Sequence, residues 1–363
     1  MIYLQIIMDR IHKSQKVQKV QKVQKVKFNR PNHKKDDGHA HINFGEDPKI
    51  NLQKYGYCVV TNVFTNKECN DTIESMWKWL EGLETGIKKE NKGTWNGKQW
   101  VHSVKQGMIQ HTLGQEEFMW KIREHINVLY IFYQIYGTFE LLTSFDGAMI
   151  GRPPETNYVQ APQQSWLHTD QNIIENLSLT DVYNSDSYCI QGIANFESSC
   201  DNDGCLFIGE ESHLLHSEMF KINKKTPINN WYMIDSEDLN FLQGKGITFY
   251  KLNAPKGSLI LFDSRAIHSG YPNQNNRDEE KFRYVIYTSS TPAKRATQKD
   301  FGTKIKAIKE GKTTSHWSSN NIKIFPLPQM YGVDAKYMTR KANVPDWENW
   351  SNTRKKLAGL IHY

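Results

Sequence analysis

"PKGSLILFDSRAIHSGYPNQNNRDEEKFRYVIYTSS" occupies residues 255–290, and its reading decides the fold. A turn at Lys256-Gly257 leads into the apolar run "GSLILFD", His268 follows its end, a polar loop intervenes, and Arg283 opens a second run, "RYVIYTSS". Both runs have strand length and composition and are bounded by turn residues. The same pattern recurs upstream from about residue 141, in "LLTSFDGAMIG", "YCIQGIANF", "GCLFIG" and "GITFYKL". Many short strands without long helices between them predict a mainly β fold with flanking helices, an α+β arrangement built on a sandwich or barrel.

The flanks read differently. "YGYCVVTNVF" (55–64) alternates like a strand, "TNKECNDTIESMWKWLEGL" (65–83) opens on a Thr cap with apolar residues at helical spacing, and "EEFMWKIREHINVLYIFYQIYG" (116–137) reads as one helix ending at Gly137. Ordered structure is expected from about residue 50. The segment 1–49 is read as a disordered basic leader, 50–295 as the main domain, and 296–363 as an extension packed on it, with a helix at 297–310 and a Pro-rich stretch at 325–329.

With 363 residues the chain can bury an ample core. Its net charge of +7 is uneven: residues 1–35 carry +9, so the remainder carries −2. The excess lies in "QKVQKVQKVQKVK" (15–27), a three-residue repeat that matches neither a helix nor a strand period. Residues 1–35 are expected to make at most weak contacts with nucleic acid or an acidic surface, because no aromatic residues interleave with the lysines. Five cysteines form no CxxC pair, and no apolar run is long enough to span a bilayer. A cytoplasmic protein without a membrane partner is expected.

His168 and Asp170 lie two apart in "QSWLHTDQN" (164–172), a spacing that puts both side chains on one face of a strand. With His268 they make two His and one Asp, the donor set of a facial triad for non-haem Fe(II). A rival group, His213, His216 and Glu218 in "ESHLLHSE", does not share one face if that segment is helical. "HAH" at 39–41 falls in the polar leader and is expected to be solvated.

The HxD, the His after "GSLILFD" and the Arg entering the last strand resemble the phytanoyl-CoA dioxygenase family of Fe(II)/2-oxoglutarate oxygenases. "SFDGAMI", "CIQGIANF" and "GEESH" also fit that pattern over residues 50–295, and "TTSHW…NIKIF" (313–325) is similar to a fungal and viral branch of it. The resemblance implies a double-stranded β-helix, a jelly-roll or cupin-like barrel, with Fe(II) held by His168, Asp170 and His268. It also implies Arg283 pairing with 2-oxoglutarate, and a hydroxylase that uses O2 and releases succinate and CO2. A guanidinium suits that pairing because it offers a carboxylate a rigid bidentate fork.

The loop before Arg283 is long, so Arg277 competes as the anchor, but Arg283 has the strand setting and Arg277 reads as solvated surface. Trp166 is expected near the co-substrate, and Arg152, Tyr158 and Gln171 are candidates for gripping a small polar or acyl substrate. Asp263 and Arg265 are expected to form an internal ion pair under the His268 loop. Two other readings remain open: an oxygenase acting on nucleic acid or protein side chains, and a barrel that binds a ligand without catalysis.

Overall fold

The computed structural model describes residues 30–95, 100–101, 107–110, 113–153, 166–172, 183, 185–227, 229–274, 277, 281–325 and 343–363. The lysine repeat, Tyr158 and most of the Pro-rich stretch lie outside them. In chain order the elements begin with β1 (His33–Lys35), β2 (His41–Asn43), α1 (Lys49–Tyr55), β3 (Tyr57–Thr61) and α2 (Asn66–Glu81). There follow β4 (Met108–Ile109), α3 (Glu117–Arg123), α4 (Ile126–Tyr136), β5 (Leu141–Thr143), β6 (Ala148–Gly151), β7 (His168–Thr169) and β8 (Ile190–Asn195). Next come β9 (Cys205–Gly209), α5 (Ser212–Ile222), β10 (Tyr232–Met233), α6 (Ser236–Gly244), β11 (Phe249–Lys251), β12 (Ser258–Asp263) and β13 (His268–Tyr271). The chain closes with β14 (Arg283–Thr288), β15 (Ser290–Pro292), α7 (Gln298–Lys309) and α8 (Asn352–Ala358).

The strands form two large sheets, ordered β1-β11-β9-β13-β7-β10 and β2-β3-β12-β8-β14-β6-β4, and a small β15-β5 pair. Among the described residues the two large sheets stay separate rather than closing into one hydrogen-bonded barrel. Period-two alternation sorts the side chains. On β12, Leu259 and Leu261 pack with the helices, whereas Ile260 and Phe262 face the cluster that joins the two sheets through Leu206 and Ile208. On β14, Tyr284 and Ile286 go to the helix side and Val285 to the inter-sheet side. Arg283 and Tyr287, two positions either way from Val285, therefore share the inward face.

Helix α2 starts on the expected cap: Thr65 and Glu68 form a reciprocal capping box. The single helix read over 116–137 is in fact two. His125 is extended and accepts from the Asn127 amide, so α4 starts anew behind a cap of its own.

Order also begins earlier than residue 50. β1 runs parallel to β11, β2 runs parallel to β3, and the histidines of "HAH" are not simply solvated. His41 bonds Asp36 at 2.9 Å, and His39 reaches Glu210, which also accepts from Tyr57. A disordered leader up to residue 49 therefore gives way to strand from residue 33. At the other end, α8 packs Ala358 against Trp120, Phe145 and Ile308, so the C-terminal segment covers the core rather than standing apart. No helix among the described residues is long and apolar enough to cross a membrane.

Candidate metal centre

His168 and His268 face each other directly across the antiparallel pair β7 and β13. Each residue is only 5 % exposed. Asp170 follows β7, its amide donating to Ser264 O at 2.9 Å, while Thr169 Oγ1 donates to the same carbonyl at 3.1 Å. The turn carrying Ser264 is braced by the expected ion pair: Arg265 donates to both oxygens of Asp263, at 2.9 and 2.6 Å, and both residues are buried. Charge-assisted bidentate geometry of this kind fixes the direction of a turn.

The three side chains converge. His168 Nε2 lies 3.7 Å from Asp170 Oδ1, His268 Nε2 lies 3.4 Å from Asp170 Oδ2, and the ligand atoms of all three fall within 4.8 Å of one another. His168 Nδ1 contacts Trp166 O at 2.8 Å and His268 Nδ1 contacts Ala266 O at 3.0 Å. A carbonyl only accepts, so each Nδ1 carries the proton, and in the neutral imidazole Nε2 turns its lone pair toward the carboxylate. Two lone pairs and a carboxylate crowded together repel one another unless a cation lies among them, so the donor set fits a divalent metal. Burial on its own would raise the Asp170 carboxyl, and only positive charge beside it, as on the imidazoles when protonated, holds it well below the usual range. Gln191, on β8, completes the support by donating to Asp170 Oδ2 at 2.9 Å.

A cavity of about 490 Å³ opens over this group between the two sheets. Trp166 stacks on His168, with centroids 4.7 Å apart and planes 20° off parallel, and lines the cavity. Arg283 lines it as well, steadied by a bond from Nη1 to Cys205 O at 3.2 Å. Arg277 is not solvated surface: its side chain is 3 % exposed and pairs with Asp203 at 3.0 Å, outside the cavity wall.

Two substrate candidates are also turned away. Arg152 donates to Trp95 O at 2.7 Å and lies over the Trp100 ring, and Gln171 donates to Ser187 O at 2.9 Å; neither lines the cavity. The rival group disperses along α5, where His213 bonds Gln53 O, His216 bonds Gln171 O and Glu218 pairs with Lys245. A further cluster, Asp36, Asp37 and His39, has both ring nitrogens of its histidine engaged by carboxylates, one of them Glu210.

Gln191, Asp146 and His316 are among the cavity residues to which the sequence reading gave no role. Gln191 shares its β8 face with Ile193, two positions on, within the quoted "CIQGIANF", so strand alternation is the signal that finds it. Asp146, from "SFDGAMI", has its carboxyl pushed up to about 7 by burial. His316, from "TTSHW", comes from the C-terminal segment.

No family model matches the chain. It is 24 % identical to "Ava biosynthesis cluster protein O" of Aspergillus versicolor over 267 residues, 71 % of this chain and 81 % of that protein. It is 21 % identical over 312 residues to a Dictyostelium discoideum protein named "Putative phytanoyl-CoA dioxygenase", covering 77 % and 83 % of the two chains. In fold it is similar to the GlcNAc Inducible Gene 2 protein of Candida albicans, with a TM-score of 0.54 at 15 % identity over 88 % of this chain and 79 % of that one.

Proposed function

Since the chain is phytanoyl-CoA dioxygenase-like, and by class an Fe(II)- and 2-oxoglutarate-dependent oxygenase, we propose that it hydroxylates an unactivated C–H bond of a small polar or acyl substrate, releasing succinate and CO2. The observation that carries this reading is the pair of fixed tautomers, which aims both Nε2 atoms at the Asp170 carboxylate. The two stacked sheets are read as a double-stranded β-helix, with residues 50–295 as the oxygenase body and 296–363 packed on it. The five cysteines are free thiols, in keeping with a cytoplasmic setting.

His168, Asp170 and His268 would hold the metal on one face, and the metal with 2-oxoglutarate would supply the activation of O2. The chain's own residues do the rest. Arg283 offers its guanidinium to the distal carboxylate of 2-oxoglutarate from the inward face of β14. Gln191 orients the Asp170 carboxylate, and Trp166 shields His168 from water on one side.

The test is succinate release by the full chain given Fe(II), 2-oxoglutarate and air. Slow 2-oxoglutarate-dependent succinate formation without added substrate, raised by compounds that are themselves hydroxylated, is expected. Iron-loaded protein that never forms succinate would remove the reading.

A further inference from the structure

Residues 313–325 come back to the cavity as a small hairpin. Thr314 bridges Ile324, the Ser315 amide donates to Lys323 O at 2.8 Å, and the Phe325 amide donates to Thr313 O at 3.0 Å. The hairpin is docked on the residue before Asp146: the Thr314 amide donates to Phe145 O at 2.9 Å, and the Phe145 amide to Thr314 Oγ1 at 3.1 Å. Ser318 adds a bond to Ser289 O at 2.8 Å. This anchoring sets His316 into the cavity wall that Asp146, Trp166 and Trp231 also form.

His316 Nε2 is buried there without a hydrogen-bond partner. A buried polar atom left unmade costs on the order of 1–3 kcal/mol, so such a position calls for a partner that arrives from outside. The metal triad does not use His316. Among the described lining residues the basic side chains other than histidine are Arg283, assigned above to 2-oxoglutarate, and the exposed Lys323. The described part of the wall thus offers hydrogen bonds and indole faces, and little to neutralise a phosphate or carboxylate.

We propose that His316 is a specificity-determining residue, whose Nε2 hydrogen-bonds a hydroxyl or carbonyl of a substrate that carries no anionic group and lays its apolar body against Trp166 and Trp231. This deepens the oxygenase reading and rests on it for the reaction, but the binding step stands apart from it. A site built to hydrogen-bond a substrate group rejects the analogue that lacks it, because the site's own polar atom is then stranded.

The experiment titrates three sets of compounds calorimetrically into the full chain, with and without Fe(II) and 2-oxoglutarate under anaerobic conditions. The sets are uncharged cyclic alcohols, the matching deoxygenated hydrocarbons, and acyl-CoA thioesters; the proteins are wild type, His316→Ala and His316→Gln. Alcohols should bind wild type, bind His316→Ala at least tenfold more weakly, and regain most of that affinity in His316→Gln. The hydrocarbons should bind all three proteins alike. Preference for the thioesters, no binding of any alcohol, or equal alcohol affinity in wild type and both variants would overturn the proposal. Loss of succinate release alone would count against the reaction and not against His316, since the titration without iron reads binding by itself.

Discussion

Gln191 Nε2 donates to Asp170 Oδ2 at 2.9 Å and lies 3.3 Å from Ser264 Oγ, so one amide ties the carboxylate to the turn that positions it. Replacing it by Leu keeps a similar volume on β8 and removes the donor. Residues that orient metal ligands typically contribute about 10–100-fold in metal affinity, and a loss of that order in Fe(II) affinity is expected for Gln191→Leu. Competition with a chromophoric chelator checks it, with the thermal midpoint as a control for folding.

Arg283 and Arg277 should separate cleanly. Arg283→Ala removes a cavity guanidinium, and truncating one partner of a desolvated charge pair costs about 2–5 kcal/mol, so the 2-oxoglutarate requirement should rise at least thirtyfold while iron stays bound. Arg277→Ala should leave that requirement unchanged and lower the thermal midpoint. Its partner Asp203 still keeps Lys281 at 2.8 Å, which limits the damage. Titration of 2-oxoglutarate against both variants distinguishes the roles.

His216 gives a pH-dependent stability. Burial, together with the Arg265 charge, pushes its imidazole down to about 4 from the ordinary 6.5, although Nε2 donates to Gln171 O at 2.9 Å. The native state keeps it neutral where the unfolded chain takes up a proton, so its stability is complete above about 6.5 and is lost as pH falls toward 4. The loss reaches about 3 kcal/mol. Urea unfolding at several pH values should show wild type losing stability through this window more steeply than His216→Gln; equal slopes would remove the claim.

The fold's β core and the pairing of His168 with Asp170 were legible because they rest on short-range rules. Strand alternation puts Ile260 and Phe262 inward, and a two-residue spacing joins His168 to Asp170. Arg152 and Gln171 both bond backbone carbonyls away from the cavity, a side-chain direction that residue type alone does not carry. His316 stands 170 residues from Phe145–Asp146 in sequence, and only the docking of its hairpin on Phe145 brings it to the cavity. A motif reading sees "TTSHW" but not what it packs against. The early strands β1 and β2 were missed for a related reason: three residues each, they gain their order from the parallel edges of β11 and β3 rather than from any periodicity of their own.

Anaerobic equilibrium dialysis of ferrous iron against the full chain, beside His168→Ala and His268→Ala variants that keep the wild-type thermal midpoint, measures most directly whether the three residues form one iron site. One equivalent of iron in the wild type and none in either variant is the predicted result, since losing one of three protein ligands removes both affinity and geometry. A full equivalent retained by both variants at wild-type affinity would contradict it.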